Sequence, residues 1–417
     1  MAVLEFAYGR GVQRAEVADE RLLAAVRLRG QPALSDVRGA VERALAAPRG
    51  PRLEDVVRPG ESVLVITVDH TRPSPRALVE PIVERLERLG ARVEIMVALG
   101  NHRPMRREEL RRHLGREDVL QSEPRGKAVC LGETSLGTPI EVCARVMEFD
   151  RRVLVGFVEP SYLLGFSGGR KLILPGVASA RAISANHFLS LSAGRVLGVL
   201  NGNPLSEDAL EAARAVGVDW TCDAVLNPDD SVAGVYAGDL VEAHGAACAQ
   251  CAEIYTTEVP EPADIVITSP GGWPYDVDFI QGKKALVPAL ECVREGGVII
   301  LLSQCAEGWG SEAQYERLLE RAGPEEILRI AAEQRTTGRC PYEWATCSTA
   351  FLFSAMYNEK RGELIVVSSM AQALKNTFVR TAPNLCQALR MAEERVGSRS
   401  SVVAIFGGRR AIVRVRR

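Results

Sequence analysis

Residues Val153–Gly176 read V-L-V-G-F-V-E-P-S-Y-L-L-G-F-S-G-G-R-K-L-I-L-P-G, and the rest of the chain is organised around them. Val153–Val158 is an apolar run of β type that breaks at Glu159-Pro160. A turn with Gly165, Gly168 and Gly169 follows, then Arg170 beside Lys171, then a second apolar run closed by Pro175-Gly176. Adjacent glycines let backbone approach a ligand and aim N–H groups at it. The lysine reads either as a phosphate partner or, partly buried, as a nucleophilic amine. Taken alone, the stretch is equally a tight turn carrying two solvated cations. It is not a Walker A loop: Arg170 separates glycine from lysine, and Leu172 stands where Ser or Thr is required.

Upstream lies a β-α-β unit. Ser62–Val68 is a buried strand, Ser74–Leu89 an amphipathic helix with Ser74 as cap and Pro75 in its first turn, and Arg92–Leu99 a second strand. Apolar strands joined by a helix imply a parallel sheet covered on both faces. Residues 1–17 read as a hairpin about Gly9-Arg10-Gly11, Ser35–Ala47 as a helix, and Arg106–Leu114 as a short charged helix. Ile140–Val146 is strand-like and Ala180–Leu191 helical, followed by a helix over Leu205–Val216. A hairpin of Cys222–Leu226 with Ser231–Tyr236 precedes a long helix over Asp239–Tyr255. Thr256–Pro262, with two prolines and two acids, reads as a linker.

Beyond that linker the α/β pattern restarts. It runs through a strand at Ile265–Thr268, a helix near Lys284–Arg294 and a strand at Val298–Leu302. Helices at Glu312–Ala322 and Glu325–Glu333 and a strand at Glu363–Val367 follow, and a hairpin-like pair ends the chain. The expected organisation is a larger domain over 1–258 with a mostly parallel sheet and a smaller α/β domain over 262–398. Residues 401–417 are left open to return to the first.

The 417 residues suffice for two or three domains with ample core. A net charge of −2 gives no electrostatic case for nucleic acid or membrane partners. No apolar run approaches the ~18 residues needed to cross a bilayer, and the opening residues lack the basic start and apolar core of a signal peptide. Ten cysteines without framework spacing fit a reducing, cytoplasmic setting. The lone C-x-x-C, Cys248 and Cys251, sits in a helical stretch and reads as packing rather than a metal or redox pair.

Chemistry collects after three strands. Asp69-His70-Thr71-Arg72-Pro73, Gly100-Asn101-His102-Arg103-Pro104 and Glu159-Pro160-Ser161 each follow one. Ligands of open α/β sheets bind at the carboxyl ends of strands, so the three segments converge on one crevice. Arg72, Arg103 and Lys171 suit a phosphate or carboxylate there. Among five histidines, His102, between Gly100 and Pro104, is the acid/base candidate. His113 reads as surface, His244 as a satisfied interior histidine, and His187 as structural on its spacing alone. An NAD dehydrogenase is disfavoured, because no G-x-G-x-x-G follows the first strand.

Together T-V-D-H-T-R-P, G-N-H-R-P, the E-P-x-Y-x-x-G-F-S-G-G-R-K-x-I-x-P-G stretch and the later N-H resemble the nickel-dependent lactate racemase family, including its 2-hydroxy-acid racemases and epimerases. The resemblance spans most of the chain. It implies two α/β domains with the active site in the cleft between them, and a nickel-pincer nucleotide, pyridinium-3,5-bisthiocarboxylic acid mononucleotide. Lys171 takes the position of the lysine that tethers this cofactor, and His187 that of the histidine completing the nickel coordination. Asp69, His70, Thr71 and Arg72, with Gly168, Gly169 and Arg170, match the cofactor-contacting positions, and Trp344 a tryptophan near the pincer. Gln281 and Lys284 match the pair that holds the substrate.

The implied reaction passes the substrate's α-hydride to the cofactor and returns it to either face, while the protein exchanges a hydroxyl proton. His102, Lys284, Arg72 and Ser161 are the catalytic candidates. Ser161 departs from the family, which has a second histidine base directly after Glu-Pro; serine is a far poorer base at neutral pH. The expectation is therefore a 2-hydroxy acid other than lactate. An oxidoreductase-like relative using the same carrier, or a non-catalytic carrier of the nucleotide, are the alternatives. The partners implied are a small 2-hydroxy acid and the enzymes that insert sulfur and nickel into the cofactor.

Overall fold

The computed structural model describes residues 1–194, 196–310, 322–323, 325–326, 329–330, 333, 352, 355–375 and 377–416. They form two compact units: residues 29–254, and residues 1–28 together with 255–417. The chain opens with β1 (Ala2–Tyr8), β2 (Gly11–Val17) and β3 (Leu22–Arg27), all in the second of these units.

The unit of residues 29–254 is built on β4 (Ser62–Val68), β5 (Arg92–Ala98), β6 (Leu120–Gln121), β9 (Arg151–Val158), β12 (Trp220–Leu226) and β13 (Val232–Gly238). Shorter strands β7 (Ala128–Glu133) with β8 (Pro139–Cys143), and β10 (Pro160–Ser161) with β11 (Gly165–Phe166), make two small antiparallel pairs. The sheet order is β13-β12-β9-β4-β5-β6, parallel except for the β12/β13 pair. Val63, Leu64, Val65 and Ile66 are fully buried, as expected of a parallel strand covered on both faces. The helix at Arg76–Arg88 packs Leu78, Val79, Ile82, Val83 and Leu86 inward. Ser74 is not its cap residue in the usual sense. Pro75 holds that position, and the Ser74 hydroxyl donates instead to His113 O at 2.6 Å.

The other unit has an all-parallel sheet. After β14 (Thr256–Val259) come β15 (Ala263–Thr268), β16 (Val293–Leu302), β17 (Glu363–Val367), β18 (Arg380–Ala382), β19 (Val402–Phe406) and β20 (Ile412–Val415). The order is β18-β17-β16-β15-β19-β3. Its core gathers Ile265, Ile267, Ile300, Ile365 and Val402 with Leu4 and Phe6 of the opening hairpin.

Three sequence expectations are corrected here. Residues 1–28 do not belong with the unit that follows them: β3 pairs with β19, and Phe6 stacks on Phe406 at 4.3 Å. Thr256–Pro262 is not a bare linker, because β14 pairs in parallel with β20. The final pair is not a hairpin. β19 is a fully apolar run that sits between β15 and β3, and β20 belongs to a different sheet, so residues 401–417 stay with the second unit. The helix expected near Lys284–Arg294 runs over Phe279–Gly282, Lys283–Ala285 and Leu286–Cys292. The helices expected over 312–322 and 325–333 lie largely outside the described residues.

Candidate active site

The segments after β4, β5 and β9, neighbours in one sheet, are joined side chain to side chain. Asp69 closes its own turn: Oδ1 accepts from Thr71 N at 3.0 Å and Thr71 Oγ1 at 2.6 Å. Its Oδ2 lies 2.6 Å from His102 Nδ1. Gly100, at φ +54°, turns the chain after β5 so that His102 arrives there. Burial raises the Asp69 carboxyl, but His102 and Thr71 together outweigh it and hold the group well below the usual carboxylate range. An ionised carboxylate only accepts, so His102 Nδ1 carries a proton, and the lone pair of the neutral ring is the one on Nε2. This orienting role of Asp69 is not legible in the sequence, where the resemblance implies only a cofactor contact.

Arg72 pairs with the buried Glu159 at 2.9 Å, tying the first segment to the third. Arg103 does not join them as an anion grip: it forks onto Glu109 at 2.8 and 2.7 Å on the surface. His70 is half-buried and its pKa is lowered, by burial first and then by Arg103 and His102, against the pull of Asp69. Its Nδ1 is buried without a hydrogen-bond partner among the described residues. His113 is not a surface residue; it is buried, with Nε2 3.1 Å from Val68 O.

The twin-glycine turn differs from its sequence reading. Gly168 (φ +80°) and Gly169 (φ +43°) lead into a 3-10 turn over Gly169–Leu172. Protein side chains occupy the space beside them. A Cβ on Gly168 would lie 2.5 Å from Asp223 Oδ1, and one on Gly169 2.6 Å from the His244 ring. Gly169 N–H donates to Asp223 Oδ1 at 2.9 Å, and His244 Nε2 donates to Ser167 O at 2.9 Å. The glycines therefore admit a buried carboxyl and an imidazole, and Gly169 N–H is not aimed at a ligand. Arg170 is likewise withdrawn: it is 3% exposed, its Nη1 is 3.5 Å from Ser206 Oγ, and burial lowers its pKa. Asp223 and His244 were missed as support for this turn. The available signal was a lone acid inside the wholly buried strand Trp220–Leu226.

Lys171 stays near the strand ends, its Nζ donating to Ser161 Oγ at 3.3 Å. His187 lies in the helix Ala180–Phe188, capped by Ser179. Burial, then the charge of Lys171, push its pKa down to about 3, which favours the neutral imidazole. In the other unit, Asp278 caps the turn at Phe279–Gly282, and Lys284 Nζ donates to Gln281 Oε1 at 2.6 Å. Trp344 lies outside the described residues. No helix among them is long and apolar enough to cross a membrane.

Comparison with known proteins gives the family. Residues 8–198 match the lactate racemase N-terminal domain, and residues 259–413 the lactate racemase C-terminal domain. The lactate racemase of Thermoanaerobacterium thermosaccharolyticum is 31% identical, over 99% of this chain and all of that one. The chain belongs to the lactate racemase family. The lactate racemase of Lactiplantibacillus plantarum is 32% identical over 90% of each chain. The solved apoprotein of the Thermoanaerobacterium enzyme superposes with a TM-score of 0.89 at 30% identity, covering 99% of this chain and all of that one. A Thermotoga maritima protein, at 16% identity and TM-score 0.69, shares the fold.

Proposed function

We propose that the chain is an isomerase, a racemase or epimerase of a 2-hydroxy acid other than lactate. It works by reversible hydride transfer to a nickel-pincer nucleotide tethered to Lys171. Relatives named lactate racemases that match over nine-tenths or more of their length support the coarse reading. What carries the finer one is the Lys171 amine held at the strand ends, 3.3 Å from Ser161 Oγ, with the buried imidazole of His187 on the helix that follows its turn. An amine able to form a covalent tether, with a neutral imidazole that suits nickel, is the donor set such a cofactor needs. The unpartnered buried Nδ1 of His70 adds a polar atom that a bound nucleotide would satisfy.

When bound, the nucleotide supplies a hydride acceptor for the substrate α-carbon. The chain's residues do the rest. His102, its tautomer set by Asp69, takes and returns the hydroxyl proton at Nε2. Arg72 with Glu159 holds the Asp69 loop against the strand-end segment that carries Ser161. Gln281 and Lys284 grip the substrate's carboxylate and hydroxyl side; a mere carrier of the nucleotide has no use for such a pair. Ser161 offers a small hydroxyl hydrogen-bonded to Lys171 in place of an imidazole, which supports a bulkier substrate than lactate, with water, Tyr162 or His70 relaying the hydroxyl proton on that side.

The test is coexpression with the sulfur- and nickel-inserting enzymes, followed by intact mass. A mass adduct on wild type that is absent from Lys171→Ala is expected, and single enantiomers of 2-hydroxy acids then report the substrate by loss of optical rotation. No adduct, or an adduct unchanged in Lys171→Ala, removes the proposal.

A further inference from the structure

His187 is held from behind by a chain of hydrogen bonds whose direction can be read unambiguously. The Asn186 side chain, fully buried, donates from Nδ2 to Leu205 O at 3.0 Å and to Asp208 Oδ2 at 2.8 Å. The carbonyl is an acceptor only, and the Asp208 carboxyl presents its oxygen to the same nitrogen. Two acceptors on one side leave a single orientation for the amide, whichever way its atoms might have been assigned. Asn186 Oδ1 therefore faces His187 Nδ1, at 3.1 Å. An amide oxygen accepts, so Nδ1 carries the proton and the lone pair is placed on Nε2. One layer further out, Thr134 Oγ1 accepts from Thr138 N at 3.1 Å and donates its own proton to Asp208 Oδ1. Asp208 is 1% exposed and Thr134 6%. The elements involved are the helices Ala180–Phe188 and Pro204–Val216 and the turn at 134–138.

We propose that Asp208 and Asn186 are positioning residues that set the tautomer of His187, so that Nε2 is the nitrogen able to ligate a metal. The relay resembles in logic the carboxylates that orient metal-bound histidines elsewhere, with an amide interposed between carboxylate and ring. Its purpose rests on the reading of His187 as a metal ligand, but the tautomer itself does not. The relay also accounts for a burial that packing alone leaves odd: an asparagine, an aspartate and a threonine interlocked in an interior where apolar side chains would cost less.

The test is the nitrogen NMR spectrum of the full chain, produced without the cofactor-maturing enzymes and labelled at histidine. The His187 signals are identified by their loss in His187→Gln. Wild type should show one tautomer, Nδ1–H, at His187. Asn186→Leu and Asp208→Leu, near-isosteric and apolar, should each let the Nε2–H form appear, while Thr134→Ser should leave the wild-type pattern. An Nε2–H or mixed His187 in wild type overturns the proposal without any variant having to fold. A wild-type tautomer that persists in folded Asn186→Leu and Asp208→Leu overturns it as well. In the matured enzyme, Asn186→Leu should keep the Lys171 adduct and lose bound nickel, read by metal analysis. An Nδ1–H tautomer with no adduct on wild type would remove the hydride-transfer reading and leave the relay standing. A nickel-loaded enzyme with the opposite tautomer would do the reverse.

Discussion

Replacing Asp69 by Asn probes the centre of the site with almost no change of shape. In the native chain Oδ1 already accepts from Thr71 N at 3.0 Å and Thr71 Oγ1 at 2.6 Å. Asparagine must keep its single oxygen there, so its NH2 group turns toward His102 Nδ1. That nitrogen can then only accept, the ring proton moves to Nε2, and the lone pair needed to take a hydroxyl proton is gone. The lost charge-assisted hydrogen bond, 2.6 Å long, is worth ~1.5–3 kcal/mol. At ~1.4 kcal/mol per decade that is roughly 10- to 150-fold in rate. Loss of the general base itself sets the wider range of about 10²- to 10⁴-fold in kcat, with KM little changed. The assay is polarimetry on the matured enzyme, with a single enantiomer of whichever 2-hydroxy acid the wild type racemises. Intact mass on both proteins separates loss of the base from loss of the cofactor. A kcat within about tenfold of wild type at equal adduct, less than a lost general base should cost, would refute the assignment of His102 and Asp69.

On the proposed hydride-transfer mechanism, racemisation run in D2O should leave the substrate α-position protiated, because the hydride would return from the cofactor and not from solvent; deuterium appearing at that carbon in step with inversion would point to proton abstraction instead. The Asp69 carboxyl is depressed in the folded chain, so its contribution to stability is in place above about pH 4 and is lost as pH falls through the lower folded value. The stability gap between wild type and Asp69→Asn should therefore narrow below about pH 4 in chemical-denaturation curves, and a gap that widens toward acid contradicts the pairing. Gly169→Ala puts a Cβ 2.6 Å from the His244 ring at φ +43°. At ~1–3 kcal/mol for the backbone alone, and ~2–4 °C per kcal/mol for a unit of this size, calorimetry should show the melting midpoint falling by roughly 2–12 °C; an unchanged midpoint would contradict the packing. Phe6→Ala empties a fully buried position stacked on Phe406 and should cost the unit containing residues 255–417 ~3–5 kcal/mol in urea unfolding; a negligible loss would place the opening hairpin elsewhere.

Much of the parallel-sheet core was legible because its signals are local. Ser62–Val68 is a continuous apolar run with turn residues beyond it, and it is a strand over that same range. The helix at Pro204–Val216 starts after an asparagine cap and ends on Gly217 in the left-handed conformation. Domain membership was not legible, for a physical reason. The partners of a parallel strand lie far along the chain, so nothing within Leu22–Arg27 announces β19, almost four hundred residues away. The short T-T-E-V of β14, followed closely by prolines, has a linker's composition, and its pairing with β20 is likewise non-local. The site divided along the same line. Strand-end segments announced themselves by residue type, but the contacts that give each side chain its role, His102 on Asp69 or Gly169 against His244, join positions that only the sheet brings together.

Two buried aspartates near the site show why residue type alone could not assign roles. Asp69 and Asp223 are 3% and 0% exposed, so desolvation pushes both carboxyls toward the neutral form. At Asp69 the His102 ring and two groups of Thr71 converge on the carboxylate, and the charged form wins. At Asp223 the donors are one backbone N–H at 2.9 Å and one hydroxyl at 3.2 Å. Burial prevails there over His244, those two bonds and Arg170, and the group is raised. Opposite shifts in similarly buried carboxyls follow from their donors, and they divide the labour. The ionised Asp69 can fix a base tautomer at the strand ends. Asp223, pushed toward its neutral form, is suited to a structural post behind the Lys171 turn, where a lasting charge would be costly to bury.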